Sequence, residues 1–193
     1  MNRARLLVGL AVLGLGITGA QASTVIGLTV EDQARLAEMV VVGEVVSQRG
    51  VNHPVNGLET AVTLKVSEVL KGSARPGQAV VFHTRSGEVD GEISEAIGEA
   101  ILHPGQKVLV FIEKVEGRRY NLGLSMGVWD VSEDRTGAMS FTRALQDGLT
   151  VVGDAAVEHG PVSLDDMRSK VAHAGRNPRF DNEILRAQPG RER

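Results

Sequence analysis

Three groups of residues in this chain have types and spacings that could do chemistry. Gly123-Leu124-Ser125-Met126-Gly127 matches the G-x-S-x-G pattern of serine hydrolases, and Asp130 or Asp154 with His159 or His173 follow in Ser…Asp…His order. Such a serine must sit on a sharp strand-to-helix turn. Here Tyr120, Leu122, Leu124, Met126 and Val128 alternate with Arg119, Asn121, Gly123, Ser125 and Gly127, which predicts a strand running straight through Ser125. The segment after it, VWDVSEDRTG, predicts more strand and then a turn. A packed strand whose glycines allow close approach is therefore expected, with a small hydrolase using Ser125 as the alternative.

The second group is acidic. In Ser86–His103, SGEVDGEISEAIGEAILH, setting Glu88 at position one of a calcium loop puts Asp90, Glu92, Ser94 and Glu99 at ligand positions 3, 5, 7 and 12. The glycine required at position six is Ile93, so a solvated charged loop is expected instead. A stretch of this length without regular period is uncommon in a compact domain and points to function. Glu88, Asp90, Glu92, Glu95 and Glu99 are accordingly the candidate partner-binding residues.

The third group yields less. His53, His83, His103, His159 and His173 contain no H-x-H or H-x-x-x-H pair, so a zinc site would need distant ligands. Leu70-Lys71-Gly72-Ser73 lacks the upstream glycine of a phosphate loop. The chain has no cysteine, which excludes disulfides, thiolate metal sites and a lipidated cysteine. No catalytic residue and no cofactor are assigned.

The ends and the charge narrow the setting. Arg3 and Arg5, the apolar run Leu6–Ile17 and Ala20-Gln21-Ala22 form a three-part export signal over residues 1–22. Its apolar run is shorter than the roughly 20 residues of a membrane span. A periplasmic or secreted chain beginning near Ser23 is expected, with no membrane span after cleavage. Without Arg3 and Arg5 the 21 basic residues fall to 19 against 24 acidic ones, a net of −5. Residues 175–193 carry five arginines against three acids and no periodicity, which predicts a polar, disordered tail and leaves the body near −7. An acidic body with four Phe, one Tyr and one Trp is poorly suited to nucleic acid.

The positioning elements follow from period and capping. Thr29-Val30-Glu31-Asp32 predicts a capped helix with Val30, Ala34 (or Gln33) and Ala37 inward. A strand follows over about Met39–Ser47, then a loop over Gly50–Leu58, then an alternating strand over Thr60–Ser67. Ala79–Phe82, Val108–Ile112 and Ala138–Thr142 predict further strands. Ser163 and Asp166 cap a second helix with Leu164, Met167 and Val171 buried, stopping at Gly175. Pro76-Gly77-Gln78 and Pro104-Gly105-Gln106 each precede an apolar burst, as type II turns that launch strands do. The sum is mainly β: one domain over residues 23–174, a small OB-like barrel of about five to six strands with an N-terminal and a C-terminal helix.

LAEMVVVGEVV, VTLKVSEVLKG, SGEVDGE, HPGQKVLVFIE and YNLGLSMGVWDV, in that order, resemble a widespread group of exported bacterial proteins. Their strand motifs are similar to the netrin-like and tissue-inhibitor-of-metalloproteinase barrel, over about Val25–Val131. The resemblance implies an OB-type fold and no catalytic residues. The inhibitors of that type use an N-terminal cysteine on the target zinc, which this chain lacks. The expectation is a non-catalytic binding module for a protein or cell-envelope partner, meeting it through Ser86–Pro104 and Gly50–Leu58. A cysteine-independent protease inhibitor is a further alternative.

Overall fold

The computed structural model describes residues 23–143, 145–153 and 157–174. The expected export signal, the expected polar tail with its Gly175 stop, and Asp154 lie outside the described residues. Strand β1, Ser23–Ile26, leads into helix α1, Val30–Leu36. The Thr29 hydroxyl accepts the Asp32 amide at 3.1 Å, and Asp32 Oδ2 accepts the Thr29 amide at 3.3 Å, closing the capping box. At the other end Lys71 Nζ donates to the carbonyls of Ala34 (2.7 Å) and Ala37 (2.6 Å), a cation where the helix leaves acceptors unpaired.

Strands β2, Met39–His53, and β3, Gly57–Lys71, form one long hairpin paired from Val40↔Lys71 to His53↔Gly57. The expected loop over Gly50–Leu58 is therefore mostly strand, with only residues 54–56 turning. Alternation fades in β2 beyond Ser47 because no side chain of that stretch is buried. It persists as strand through backbone pairing, which leaves no mark on side-chain pattern.

Strand β4 is Ala79–Thr84, and β5, Gly87–Val89, and β6, Glu92–Ser94, form a short hairpin. Strand β7, Lys107–Val115, is followed by β8, Arg118–Asn121, and a 3-10 turn over Leu124–Gly127. The remaining strands are β9, Val128–Glu133, β10, Met139–Arg143, β11, Leu149–Val152, and β12, Val162–Ser163. Helix α2, Leu164–His173, starts where the Ser163 hydroxyl accepts the Asp166 amide at 3.1 Å.

The unbroken strand expected from Tyr120 to Val128 does not form. Gly123 (φ 65°) and Leu124 (φ 58°) take left-handed backbone, ending the ladder at Asn121. Gly127 then closes on Leu122, whose carbonyl oxygen would lie 2.1 Å from any added Cβ. Leu122, Met126 and Val128 are buried as the alternation implied, in a tight turn and not a ribbon.

The main sheet has the order β12-β10-β9-β7-β2-β3-β4-β8, and β8 also pairs with β7. The path β7-β2-β3-β4-β8 is a partial ring, its seam a single parallel bridge between His83 and Tyr120. Strands β2 and β7 lie between two cores. Val41, Val45, Val108, Val110 and Ile112 join Val62, Leu64, Val80 and Phe82 on one face. Val40, Val42, Leu109 and Phe111 meet Val30, Ala34, Met167 and Val171 of the helices, with Trp129 and Phe141, on the other. This is why both strands are continuous apolar runs.

The two Pro-Gly-Gln turns are built alike. Gly77 and Gly105 have φ of 84° and 87°, the left-handed residue a type II turn requires. Gln78 and Gln106 each donate back to the first carbonyl of the turn at 3.0 Å. Their side-chain oxygens accept the first amide, from Arg75 at 3.1 Å and His103 at 3.0 Å. Both glycine amides dock on a neighbouring strand at 2.7 Å, Gly77 on Val66 and Gly105 on Val45.

Candidate functional site

One polar cluster sits where the ring closes. Strand β3 brings Glu59, β8 brings Arg118 and Tyr120, the end of β2 brings His53, the β2–β3 turn brings Asn56, and β4 brings His83. Glu59 is fully buried. Its Oε1 accepts from Tyr120 Oη at 2.8 Å and Asn56 Nδ2 at 3.2 Å. Arg118 Nη2 lies 3.1 Å from Oε2, close enough to pair by charge but off the hydrogen-bond line. Burial and the Glu59 carboxylate push the Tyr120 phenol up, so it stays protonated as the donor. His83 is tilted against Tyr120 with ring centroids 5.9 Å apart, and its Nδ1 is 3.1 Å from the Arg119 carbonyl. Burial lowers its pKa, which keeps the imidazole neutral at pH 7.

The β5–β6 hairpin lies across this end of the β2–β3 ribbon. Two glycines allow the approach: a Cβ on Gly50 would be 1.8 Å from Glu88 O, and one on Gly87 would be 2.4 Å from Glu59 O. Asp90 (φ 53°) and Gly91 (φ 83°) make its turn, both in the left-handed region. Asp-Gly between two strand-forming residues is the sequence signal for this hairpin, and it is hidden inside what looks like an acidic loop.

The five acidic candidates separate. Glu88, Asp90, Glu92 and Glu95 are exposed on or beside the hairpin. Glu99 is buried, and its carboxylate accepts from the amides of Arg85 and Ala100 at 2.8 Å each and from Asn121 Nδ2. The five do not converge, and no group of three or more His, Asp or Glu among the described residues could hold a metal ion. The expectation of a wholly solvated loop is thus corrected: its second half is anchored in the body. Arg85 joins the two clusters, its guanidinium 4.8 Å from the Tyr120 ring centroid and 3.0 Å from Glu113 Oε1.

Ser125 lies in the 3-10 turn and is fully buried. Its amide donates to Gly98 O at 3.0 Å and its hydroxyl accepts from the Gln146 amide at 3.1 Å. Asp130 accepts from Gln106 Nε2 at 2.8 Å, and His173 Nδ1 is 2.6 Å from Ser169 O on α2. Among the described residues no acid or histidine bonds to Ser125 Oγ. What the serine does is join two chain segments. Glu59, Arg118 and the Ser125 contacts carried no sequence signal, because each depends on segments far apart in the chain.

No model of a known protein family matches the chain, and no curated protein matches it.

Proposed function

We propose that this chain is an exported, non-catalytic interaction module on an OB-like ring, which meets a protein or cell-envelope partner through the β2–β3 turn and the acidic segment Ser86–Pro104. The observation that carries this is how the polar groups are used. Inside the ring end, Glu59, Tyr120, Asn56 and Arg118 engage one another, and Glu99 engages backbone amides and Asn121. Outside it, Glu88, Asp90, Glu92 and Glu95 face solvent, as do Val55 (82% exposed) in the β2–β3 turn and Ile93 (71% exposed) in β6. Charged and apolar groups left without internal work at hairpin tips are what a recognition rim presents.

The OB-like reading draws support from the ring path β2-β3-β4-β8-β7, with β8 parallel to β4 and antiparallel to β7. That path is how a five-stranded, partly open OB barrel closes. Oligonucleotides are common OB ligands, but an acidic rim repels a phosphate backbone, which favours a polypeptide partner. The N-terminal leader supports export.

Affinity capture from the cell envelope with the tagged chain, beside a Glu88→Lys/Asp90→Lys/Glu92→Lys variant, tests this reading. A partner polypeptide held by the wild-type chain and lost from the variant is expected. Equal recovery by both, or recovery of nucleic acid alone, would remove it.

A further inference from the structure

A second surface feature, separate from the hairpin tip, lies where the anchored half of the acidic segment meets residues 146–147. It is a cleft of about 340 Å³, lined by Glu95–Ile101 on one wall, by Gln146 and Asp147 on the other, and by Ser86. Its apolar lining is aliphatic: Ala96, Ile97, Ala100 and Ile101, with Ile101 61% exposed. Its rim carries the exposed carboxylates of Glu95 and Asp147, and no lysine or arginine is among its lining residues.

The cleft is pre-built. Ser125 ties its walls together, donating to Gly98 O on one and accepting from Gln146 N on the other. Gly98 has φ of 80° and packs where a Cβ would be 2.7 Å from Leu149. Glu99 is fixed from behind by three N–H donors, so its charge is already compensated. The two rim carboxylates have no ion-pair partner among the described residues. An aliphatic lining beside two uncompensated carboxylates complements a cationic side chain next to an aliphatic one. The volume is at the small end of ligand pockets, about 300–1,000 Å³, which fits side chains of an extended segment and not a folded domain.

We propose that this cleft docks a basic segment of a partner polypeptide, its cationic side chains on Glu95 and Asp147 and an aliphatic side chain on Ile97 and Ile101. The proposal rests on the interaction-module reading and names a site and a partner chemistry for it. The probes are two fluorescein-labelled, end-blocked peptides, Arg-Leu-Arg-Leu-Arg and Glu-Leu-Glu-Leu-Glu, titrated by anisotropy against the purified chain. Saturable binding of the basic peptide alone is expected, weakening as salt rises. Glu95→Gln/Asp147→Asn should lower that affinity by about tenfold, and Glu95→Lys/Asp147→Lys should reverse the preference between the peptides. Unchanged urea midpoints establish that the variants are folded.

Equal binding of the two peptides, no binding of the basic one, or undiminished binding by Glu95→Gln/Asp147→Asn overturns the proposal. Loss of peptide binding in Glu88→Gln/Asp90→Asn/Glu92→Gln, with the cleft variants unaffected, would also overturn it while leaving the interaction-module reading in place. Self-association abolished by Glu95→Lys/Asp147→Lys would give the cleft to a second copy of the chain and overturn the basic-partner assignment.

Discussion

Glu59 and Glu99 are two buried glutamates at the same end of the molecule, and they are compensated in opposite ways. Glu59 is held by three side chains from two places: Tyr120 and Arg118 on β8 and Asn56 in the β2–β3 turn. Glu99 is held largely by backbone, from the amides of Arg85 and Ala100, with one side chain, Asn121. The first arrangement stitches strands together at the ring's weakest seam, which has a single bridge. The second pins a loop to the body. A buried carboxylate satisfied by side chains depends on every donor being present, whereas backbone donors survive any substitution except proline. The two sites should therefore respond differently to the same substitutions.

Glu59→Ala should be the most damaging single change, at about 3 kcal/mol of unfolding free energy in urea. It leaves the buried Tyr120 hydroxyl without its acceptor, returns the exposed Asn56 amide to water and strips Arg118 of its counter-ion. Partial exposure of Arg118 keeps the loss below that of a wholly enclosed pair. Tyr120→Phe alone should cost about 1 kcal/mol, and almost nothing further in the Glu59→Ala background. Additive losses in that cycle would mean the two groups are not energetically coupled.

Glu99→Ala should cost less, about 2 kcal/mol, since Ala100 lines the cleft and Arg85 is only half-buried, so both freed amides can recruit water. Its distinctive signature is local. Hydrogen exchange at Arg85 and Ala100 should accelerate more than exchange in β2 and β3. Uniform acceleration across the sheet would show that Glu99 supports the whole fold, as Glu59 does.

The contrast between these glutamates is invisible in the sequence, where each is one acidic residue among many. What was legible is what depends on neighbours in the chain: the Thr29 and Ser163 caps, the apolar stretches of β2 and β7, the alternation of Val62, Leu64 and Val66, and the paired Pro-Gly-Gln turns. The hairpin at Asp90-Gly91 was also written locally but was masked by acidic composition. The continuation of β2 beyond Ser47 was not legible because none of its side chains is buried and a backbone ladder imposes no side-chain period. At Leu122–Val128 the same alternation that marks strands elsewhere came from a turn that buries alternate residues, with Gly123 and Leu124 supplying the reversal. Of the candidate partner residues, only the tertiary contacts of Glu99 separate it from Glu88, Asp90, Glu92 and Glu95.

A pH titration sharpens the comparison further, because only the Glu59 cluster has a histidine packed on it. His83 has a pKa below its ordinary value, since burial disfavours the imidazolium. The unfolded chain then binds more protons than the folded one just below the unfolded pKa of about 6.5. Stability should be unaffected by His83 above that value and should fall as pH drops through it, levelling once the folded imidazole is also protonated. His83→Gln should flatten this limb. Glu38, whose carboxyl is held low by the hydrogen bond from Arg119, produces a separate loss that begins as pH falls into the ordinary carboxylate range and continues below it. A slope near pH 6 that survives His83→Gln would assign the titration to another group and detach pH sensitivity from the ring end.

The smallest expected effect on stability is the most informative about function. Glu88→Gln/Asp90→Asn/Glu92→Gln removes three exposed charges that have no ion pair among the described residues, so the urea midpoint should stay within about 0.5 kcal/mol of wild type per site. Removing like charges from a short hairpin should, if anything, stabilise it slightly. Side chains that contribute nothing to folding, on a hairpin held in place by glycine contacts at Gly50 and Gly87, are free to serve a partner. A fall of more than about 1 kcal/mol would instead tie these carboxylates to the fold, as Glu99 is tied, and leave the rim without its recognition charge.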